Sequence, residues 1–453
     1  MSAGHRPGDD GSDIATGSAD SEIATGSADS EIATGSADSE IATGSADGSA
    51  DGTGTGATDR LGGAPVPFLD LGLQHRAIAA DVDTAFARIL DRCSFVGGSD
   101  VGEFEIAFGA YCGAEHAVGV ANGTDAIVMA LRALGIGPGD RVAVPANTFI
   151  ATAEAVALVG GRVVVVDCDP IHQLIDPDSV ANAMRSGRLS AVIAVDLYGQ
   201  RAPIDQLVPL VRNHGAFLIE DAAQAQGATR FGAGIGSGVD VATTSFYPGK
   251  NLGAYGDGGA VITDSPALAH HVRLIANHGS RVRYQHEVVG TNSRLDTMQA
   301  AVLNAKLAHL DGWNEQRSAA ATRYDEMLRD RADLRLPVEM RGNRHVWHVY
   351  NVRVHPSWRH RIVDRLNERG IGAAIHYPVA VHRTAAFADR VDIADGGCPA
   401  AESSAASTLS LPMFPGITLE QQERVVGTLI AALGELAAEH DVAHDPAKAP
   451  TPA

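Results

Sequence analysis

Lys250 lies in the run SFYPGKNLGAYGDGGA, residues 245–260, and its surroundings are wrong for a plain solvated charge. Pro248 and Gly249 bend the chain before it, and Gly253, Gly256, Gly258 and Gly259 allow close backbone approach after it. Val241, Thr243, Thr244 and Phe246 precede it, so the lysine is expected where a strand gives way to a loop. Partial shielding there destabilises the ammonium and frees the amine as a nucleophile. The chemistry best known for such an amine is a Schiff base with pyridoxal phosphate. A loop lysine beside a tight turn is the plainer reading of the same residues. A Walker-type phosphate loop is excluded, because Thr244 stands where glycine is needed and Asn251 replaces Ser or Thr.

Other residues gain meaning beside this lysine. Asp221 follows the apolar run AFLIE and has no cation close in sequence, so it reads as a partner for a protonated pyridine nitrogen or as a helix cap. Gln224, one helical turn on, is placed to reach the phenolic oxygen of the same ring. Asn122 and Gly123 form a turn, and Thr124 opens a helix whose free N–H groups suit a phosphate, or which Asn or Thr simply caps. Phe149, with Thr148 in a loop entering a helix, could lie flat on a planar ring or seal the core.

The elements that must position these residues follow a regular alternation. HAVGV (116–120), RVAVP (141–145), VVVVD (163–167), AVIAVD (191–196) and AFLIED (216–221) read as strands. Helical stretches fall at 124–134, 151–159, 177–186 and 203–214 between them. Near-continuous Val, Ile and Ala runs alternating with helices indicate an α/β fold with a mostly parallel sheet covered on both faces, which binds ligands at the carboxyl ends of its strands. Two helical segments and a short strand precede residue 120; one long helix is expected from Arg294 to about Asn314. Trp347–Val354, a helix near 358–369 and IHYP (375–378) suggest a smaller C-terminal αβ domain. The expected division is residues 64–312 for the large domain and 313–440 for the small one.

The chain has 453 residues, 45% hydrophobic, and can bury more than one core. Half of its net charge of −20 falls in residues 1–60, where 12 Asp and Glu face Arg6 and Arg60. The rest is ordinarily acidic, which argues against nucleic acid as a partner. The nonapeptide IATGSADSE at 14–22 recurs at 23–31 and 32–40 and is truncated at 41–47. One isoleucine per repeat cannot offset the entropy of ordering, so residues 1–63, like residues 441–453, are expected to be disordered. Cys93, Cys112, Cys168 and Cys398 show no metal spacing. With no basic–apolar leader and no apolar run of membrane length, a soluble cytoplasmic protein is expected.

The segments FLDLGLQ (68–74), NGTDA (122–126), NTFIATA (147–153), EDAAQAQGA (220–228), the Lys250 run, GTNSRLDTMQAA (290–301), HYP (376–378) and LSLP (409–412) together resemble the DegT-type sugar aminotransferases. The likeness spans Phe68 to about Leu436. It implies the aspartate aminotransferase fold (PLP fold type I), with Lys250 forming the Schiff base, Asp221 on the pyridine nitrogen and Gln224 on the phenolic oxygen. It also implies that Gly123, Thr124 and Ser245 hold the phosphate, that Phe149 stacks on the ring, and that Asn292 reaches the phosphate across a homodimer with shared active sites. His376 and Tyr377 of the HYP segment would meet the substrate; His278, Arg281, Arg283, Tyr284 and His382 are further candidates. The implied reaction moves an amino group from glutamate or glutamine to a nucleotide-linked keto-deoxysugar, with C3 of a dTDP-keto-6-deoxyhexose ahead of C4 ketones or a free inosose. A non-catalytic partner or regulator of the same fold is the alternative of a different class.

Overall fold

The computed structural model describes residues 63–444. The repeats and most of the tails expected at 1–63 and 441–453 lie outside the described residues, whereas residues 441–444, expected in the disordered C-terminal tail, instead complete the last helix. Among the described residues the largest sheet has eight strands. Seven come from the first two-thirds of the chain: β1 (His116–Val120), β2 (Arg141–Pro145), β3 (Arg162–Val166), β4 (Ala191–Val195), β5 (Phe217–Asp221), β6 (Val241–Ser245) and β7 (Gly259–Thr263). Their order is β1-β7-β6-β5-β4-β2-β3, and only β7 runs against its neighbours. The mostly parallel sheet read from the sequence is present, with strand ends within about a residue of those expected.

Alternation along each strand decides which core a side chain enters. Val163 and Val165 of β3 join Val142, Val144, Ile193 and Ile219 on one face, under α3 (Gly123–Ala133), α4 (Ala151–Leu158) and α7 (Pro266–Ala276). Val164 and Val166 join Ala143, Val192 and Leu218 on the other, under α5 (Pro177–Ser186) and α6 (Ile204–Asn213). Each fully buried valine contributes roughly 1.5–3 kcal/mol, which is why these strands tolerate polar residues only at their ends. Polar side chains fix where helices start. Asp70 accepts from the Gly72 and Leu73 amides to cap α1 (Leu71–Arg92), and Asn122 accepts from the Asp125 amide to cap α3.

The segment expected as one helix from Arg294 to Asn314 is two: α8 (Thr297–Leu307) and α9 (Leu310–Leu328), after α2 (Ser99–Cys112) earlier in the chain. No proline marks the break at Ala308–His309; the bend seats Leu310, fully buried, in the cluster that holds Leu303. The expected division at 312/313 therefore falls inside α9. The C-terminal layer packs α9, α10 (Arg359–Glu368) and α12 (Leu419–His444) against β8 (Tyr350–Arg353) and its antiparallel partner β10 (Thr408–Leu411). Val66 from the start of the described chain is buried in that layer and bonds both ways with Gly370 and Gly372. A short strand, β9 (Val391–Ile393), leaves the layer to lie parallel beside β3 as the eighth strand; α11 (Pro399–Ser407) follows it. Among the described residues no helix is long and apolar enough to cross a membrane.

Candidate active site

The carboxyl ends of β1, β2, β4, β5 and β6 share one edge, and the residues singled out from the sequence gather there. Asp221 is the last residue of β5, and Lys250 lies in the loop that joins β6 to β7. Asp221 is 6% exposed and, among the described residues, holds no ion pair within hydrogen-bond reach. Its Oδ2 accepts from the Thr152 hydroxyl at 2.9 Å and its Oδ1 from the Ala223 amide at 3.2 Å. Burial pushes the carboxyl above its ordinary range; the Thr152 and Ala223 bonds, and then the charge of Lys250, oppose that push. Burial lowers the Lys250 ammonium to about 8, with Asp221 pulling the other way. Each group thus answers the other's charge, and the amine is within reach of its neutral, nucleophilic form near physiological pH.

Gly123 opens α3 against Ser245. A Cβ at Gly123 would stand 2.5 Å from the Ser245 Cβ, so only glycine lets the start of the helix approach that hydroxyl. Gly259 stands level with both Val120 and Ser245 across the sheet, where a Cβ would meet the Asn122 carbonyl at 2.4 Å. Because Asn122 caps the helix through Asp125, the Gly123 and Thr124 amides at its very start remain for an outside acceptor. This cradle, with its dipole and the Ser245 hydroxyl, has the chemistry of a phosphate cup.

Phe149 precedes α4 and is 51% exposed, its ring 5.4 Å from that of Tyr377 and tilted by 41°. Gln224 bridges the site: its Oε1 accepts from the Tyr198 amide at 2.6 Å, and its Nε2 donates to the Tyr377 hydroxyl at 3.0 Å. Tyr198 sits at φ 64°, a backbone that a tyrosine rarely adopts, and the Gln224 bond helps to hold it there. Its own hydroxyl donates to the His376 carbonyl at 2.5 Å. His376 stacks on Phe68 at 5.5 Å and contacts the Ser410 hydroxyl at 3.0 Å through Nδ1. Burial, then the Lys250 charge, lowers His376 to about 4, so it is neutral at physiological pH.

Asn292 is apart from this group. It is exposed, and its Oδ1 accepts from Arg294 at 3.0 Å. Of the wider set, His382 is buried against Glu402 at 2.8 Å, while Arg281 pairs with Glu287 at 3.8 Å on an exposed short antiparallel hairpin.

Three contributors escaped the sequence reading. Thr152 donates to Asp221 and so accepts from Thr148 at 2.9 Å; NTFIATA contained both, but nothing in it shows a hydroxyl aimed across two strands. Tyr198 lies in the segment LYGQ (197–200), whose strained backbone has no sequence signature beyond Gly199. His348 donates to the Asn251 Oδ1 at 3.1 Å, and burial followed by the Lys250 charge holds it well below the usual histidine range. Only the fold brings it to the lysine.

Residues 76–430 match the DegT/DnrJ/EryC1/StrS aminotransferase family. The chain belongs to this family. It is 46% identical to the dTDP-3-amino-3,4,6-trideoxy-alpha-D-glucose transaminase of Streptomyces venezuelae, over 80% of this chain and 94% of that protein. It is 43% identical to the erythromycin biosynthesis sensory transduction protein EryC1 of Saccharopolyspora erythraea, over 81% of this chain and 99% of that protein. The crystal structure of S. venezuelae DesV in complex with a ketimine intermediate superposes with a TM-score of 0.78, covering 81% of this chain and 98% of that one. As a DegT-family aminotransferase the chain uses pyridoxal phosphate, and its residues fit that group. The Gly123–Ser245 cradle is open to a phosphate, Asp221 is a buried acid without an ion-paired cation, Phe149 presents a free face, and Lys250 carries a lowered pKa.

Proposed function

We propose that this enzyme transfers an amino group from glutamate to C3 of a dTDP-linked 3-keto-6-deoxyhexose, in the cytoplasm, as a step of amino-sugar formation. The observation that carries the chemistry is the facing of Asp221 and Lys250 at one sheet edge, each shifting the other's protonation. The sugar and its carbon rest on the 46% identity to a transaminase whose product carries its nitrogen at C3.

Pyridoxal phosphate, when bound, supplies an electron sink for the donor's α-carbon and a carrier for the amino group. The Gly123 and Thr124 amides and the Ser245 hydroxyl receive its phosphate, and Phe149 offers a flat apolar face to its ring. The Asp221 carboxylate, kept in place by Thr152 and the Ala223 amide, holds the ring nitrogen's proton. Gln224 has a second amide hydrogen free to meet the phenolic oxygen. Lys250 Nζ would anchor the group and, once displaced, would take the proton from the donor's α-carbon and deliver it to the cofactor carbon that keeps the nitrogen. Neutral His376 and Tyr377 bound the mouth on the small-domain side, where a sugar hydroxyl finds acceptors without a competing charge.

The test is incubation of the holoenzyme with L-glutamate and dTDP-3-keto-6-deoxyhexose, with mass spectrometry of the product. Amination of the 4-keto isomer alone would reverse the regiochemistry, and turnover of free inosose alone would overturn the sugar-nucleotide reading. The relative named for sensory transduction favours a second reading, a regulator that does not turn over. The intact set of Lys250, Asp221 and Gln224 speaks against it, and the same incubation decides.

We also infer a homodimer with shared sites, because the exposed side chains of Asn292 and Arg294 bond, among the described residues, only to each other and precede α8. Mixing inactive Lys250→Ala with inactive Asn292→Ala, Arg294→Ala chains should restore activity, since one hybrid site carries neither lesion. Confirmed subunit exchange without recovery would dismiss the shared site.

A further inference from the structure

Lys306, near the end of α8, is 2% exposed, yet its ammonium makes no hydrogen bond or ion pair among the described residues. Its one specific contact is the ring of Tyr255, 5.1 Å from Nζ to the centroid. A buried unpaired ammonium is costly, and a cation–π contact offsets only part of that cost. Burial alone lowers it to about 8, so it is still mainly charged at neutral pH. The side chain lines an open cavity of about 310 Å³ between α1, α8 and the loop that carries Lys250, with Gly72, His75, Pro248 and Ala254 on its walls. That volume lies at the lower end of small-molecule sites, about 300–1,000 Å³.

The polar groups around the cavity favour negative charge. His75 Nδ1 is 2.7 Å from the Tyr255 hydroxyl, which leaves its Nε2 for another partner. Arg76 reaches over Gly72, where a Cβ would lie 3.1 Å from its Nη1. Of the nearby acids, Asp70 is engaged in capping α1, and the charge of Asp83 raises the Tyr255 phenol after burial has done so. Lys250 is not on the cavity wall, although Pro248 and Ala254 on either side of it are. The cavity therefore backs onto the Lys250 loop from outside the cofactor cradle.

We propose that this cavity is a second binding site, for a small molecule bearing a phosphate or carboxylate, with the Lys306 ammonium as its central contact and His75 on its wall. An anion there completes the missing partner of Lys306 and ties α1 and α8 to the loop behind Lys250.

Equilibrium dialysis of labelled inorganic phosphate against holoenzyme saturated with pyridoxal phosphate, at low ionic strength, tests this. The filled cofactor cradle removes the competing phosphate subsite. One saturable phosphate per chain is expected, weakened by at least about tenfold in Lys306→Met, the loss of one charge-assisted contact. Displacement by glutarate would assign the site to carboxylates, and a failure of glutarate to compete would assign it to phosphates. Equal binding in wild type and Lys306→Met, or no saturable phosphate up to about 10 mM, would overturn the site, the latter also if a second copy of the chain fills the cavity. Should Lys306→Met not fold, acetic anhydride labelling of the native holoenzyme decides: phosphate must protect Lys306, and unchanged labelling refutes the proposal. Neither experiment needs turnover, so its failure leaves the aminotransferase reading untouched.

Discussion

Glu220 and Asp221 are adjacent on β5, both buried, and a strand's alternation sends them to opposite faces of the sheet. Glu220 meets a full set of partners: Arg201 Nε at 2.6 Å on one oxygen and the Gly236 amide at 2.6 Å on the other. Arg201 in turn donates from its two terminal nitrogens to the Ala233 and Ser237 carbonyls. Asp221 has a hydroxyl and an amide, and its nearest cation is a lysine that acts only through its field. One carboxylate completes the structure and the other keeps capacity in reserve for a ligand. Burial does not distinguish the two; the count of satisfied lone pairs does.

The sharpest break of that contrast is on the Lys250 side. Lys250→Ala should abolish turnover and covalent retention of the cofactor, checked by borohydride reduction and peptide mapping; label on a different lysine would move the site elsewhere. Glu220→Gln comes next. It takes the hydrogen-bonded charge from Arg201 and leaves buried Asp196 as that cation's nearby acid, and should cost about 1.5–3 kcal/mol of stability, seen as a lower urea midpoint, while each folded molecule remains active. Asp221→Asn should do the reverse. Removing a carboxylate that burial already disfavours leaves the cofactor-free protein at least as stable, but activity falls on the order of a hundredfold. Equal urea midpoints for the two variants would erase the distinction between the faces. Thr152→Val, which unties Asp221, should slow turnover by about fivefold, near 1 kcal/mol.

The smallest effect is in pH. In the cofactor-free protein Lys250 releases its proton at about 8 rather than at the ordinary 10.5. The unfolded chain therefore binds more protons between those values, and stability from this group rises as pH rises through the window. Lys250→Met should show a shallower rise between about pH 8 and 9.5, below ordinary tyrosine ionisation; an identical slope would mean that the lysine is not shielded.

Much of this was legible beforehand, and the reasons are physical. Strands buried on both faces read as unbroken valine and isoleucine runs, and Lys250, Asp221 and Gly123 sit beside turns that only certain residues can make; Ser245 was legible only through the family resemblance. The residues that escaped act through partners distant in sequence. Thr152 is an ordinary helix threonine until β5 sets Asp221 opposite it, and His348 lies 98 residues beyond Lys250. The bend between α8 and α9 has no glycine or proline at Ala308–His309, because packing around Leu310 accompanies it rather than a local preference.

β9 contributes just Val391, Asp392 and Ile393 to the main sheet, opposite Val163, Val164 and Val165, with Asp392 held by Arg162 at 2.7 Å and Arg141 at 3.4 Å. On the ribosome this gives the molecule a clock. The seven other strands of the sheet emerge by residue 263, yet the open edge of β3 must wait for a strand made much later. During that interval β3 offers unpaired backbone to any neighbouring chain, the exposure that leads to mispairing. A nascent chain stalled before residue 391 should be the sticky form of this protein, and arrival of three residues should end that stage.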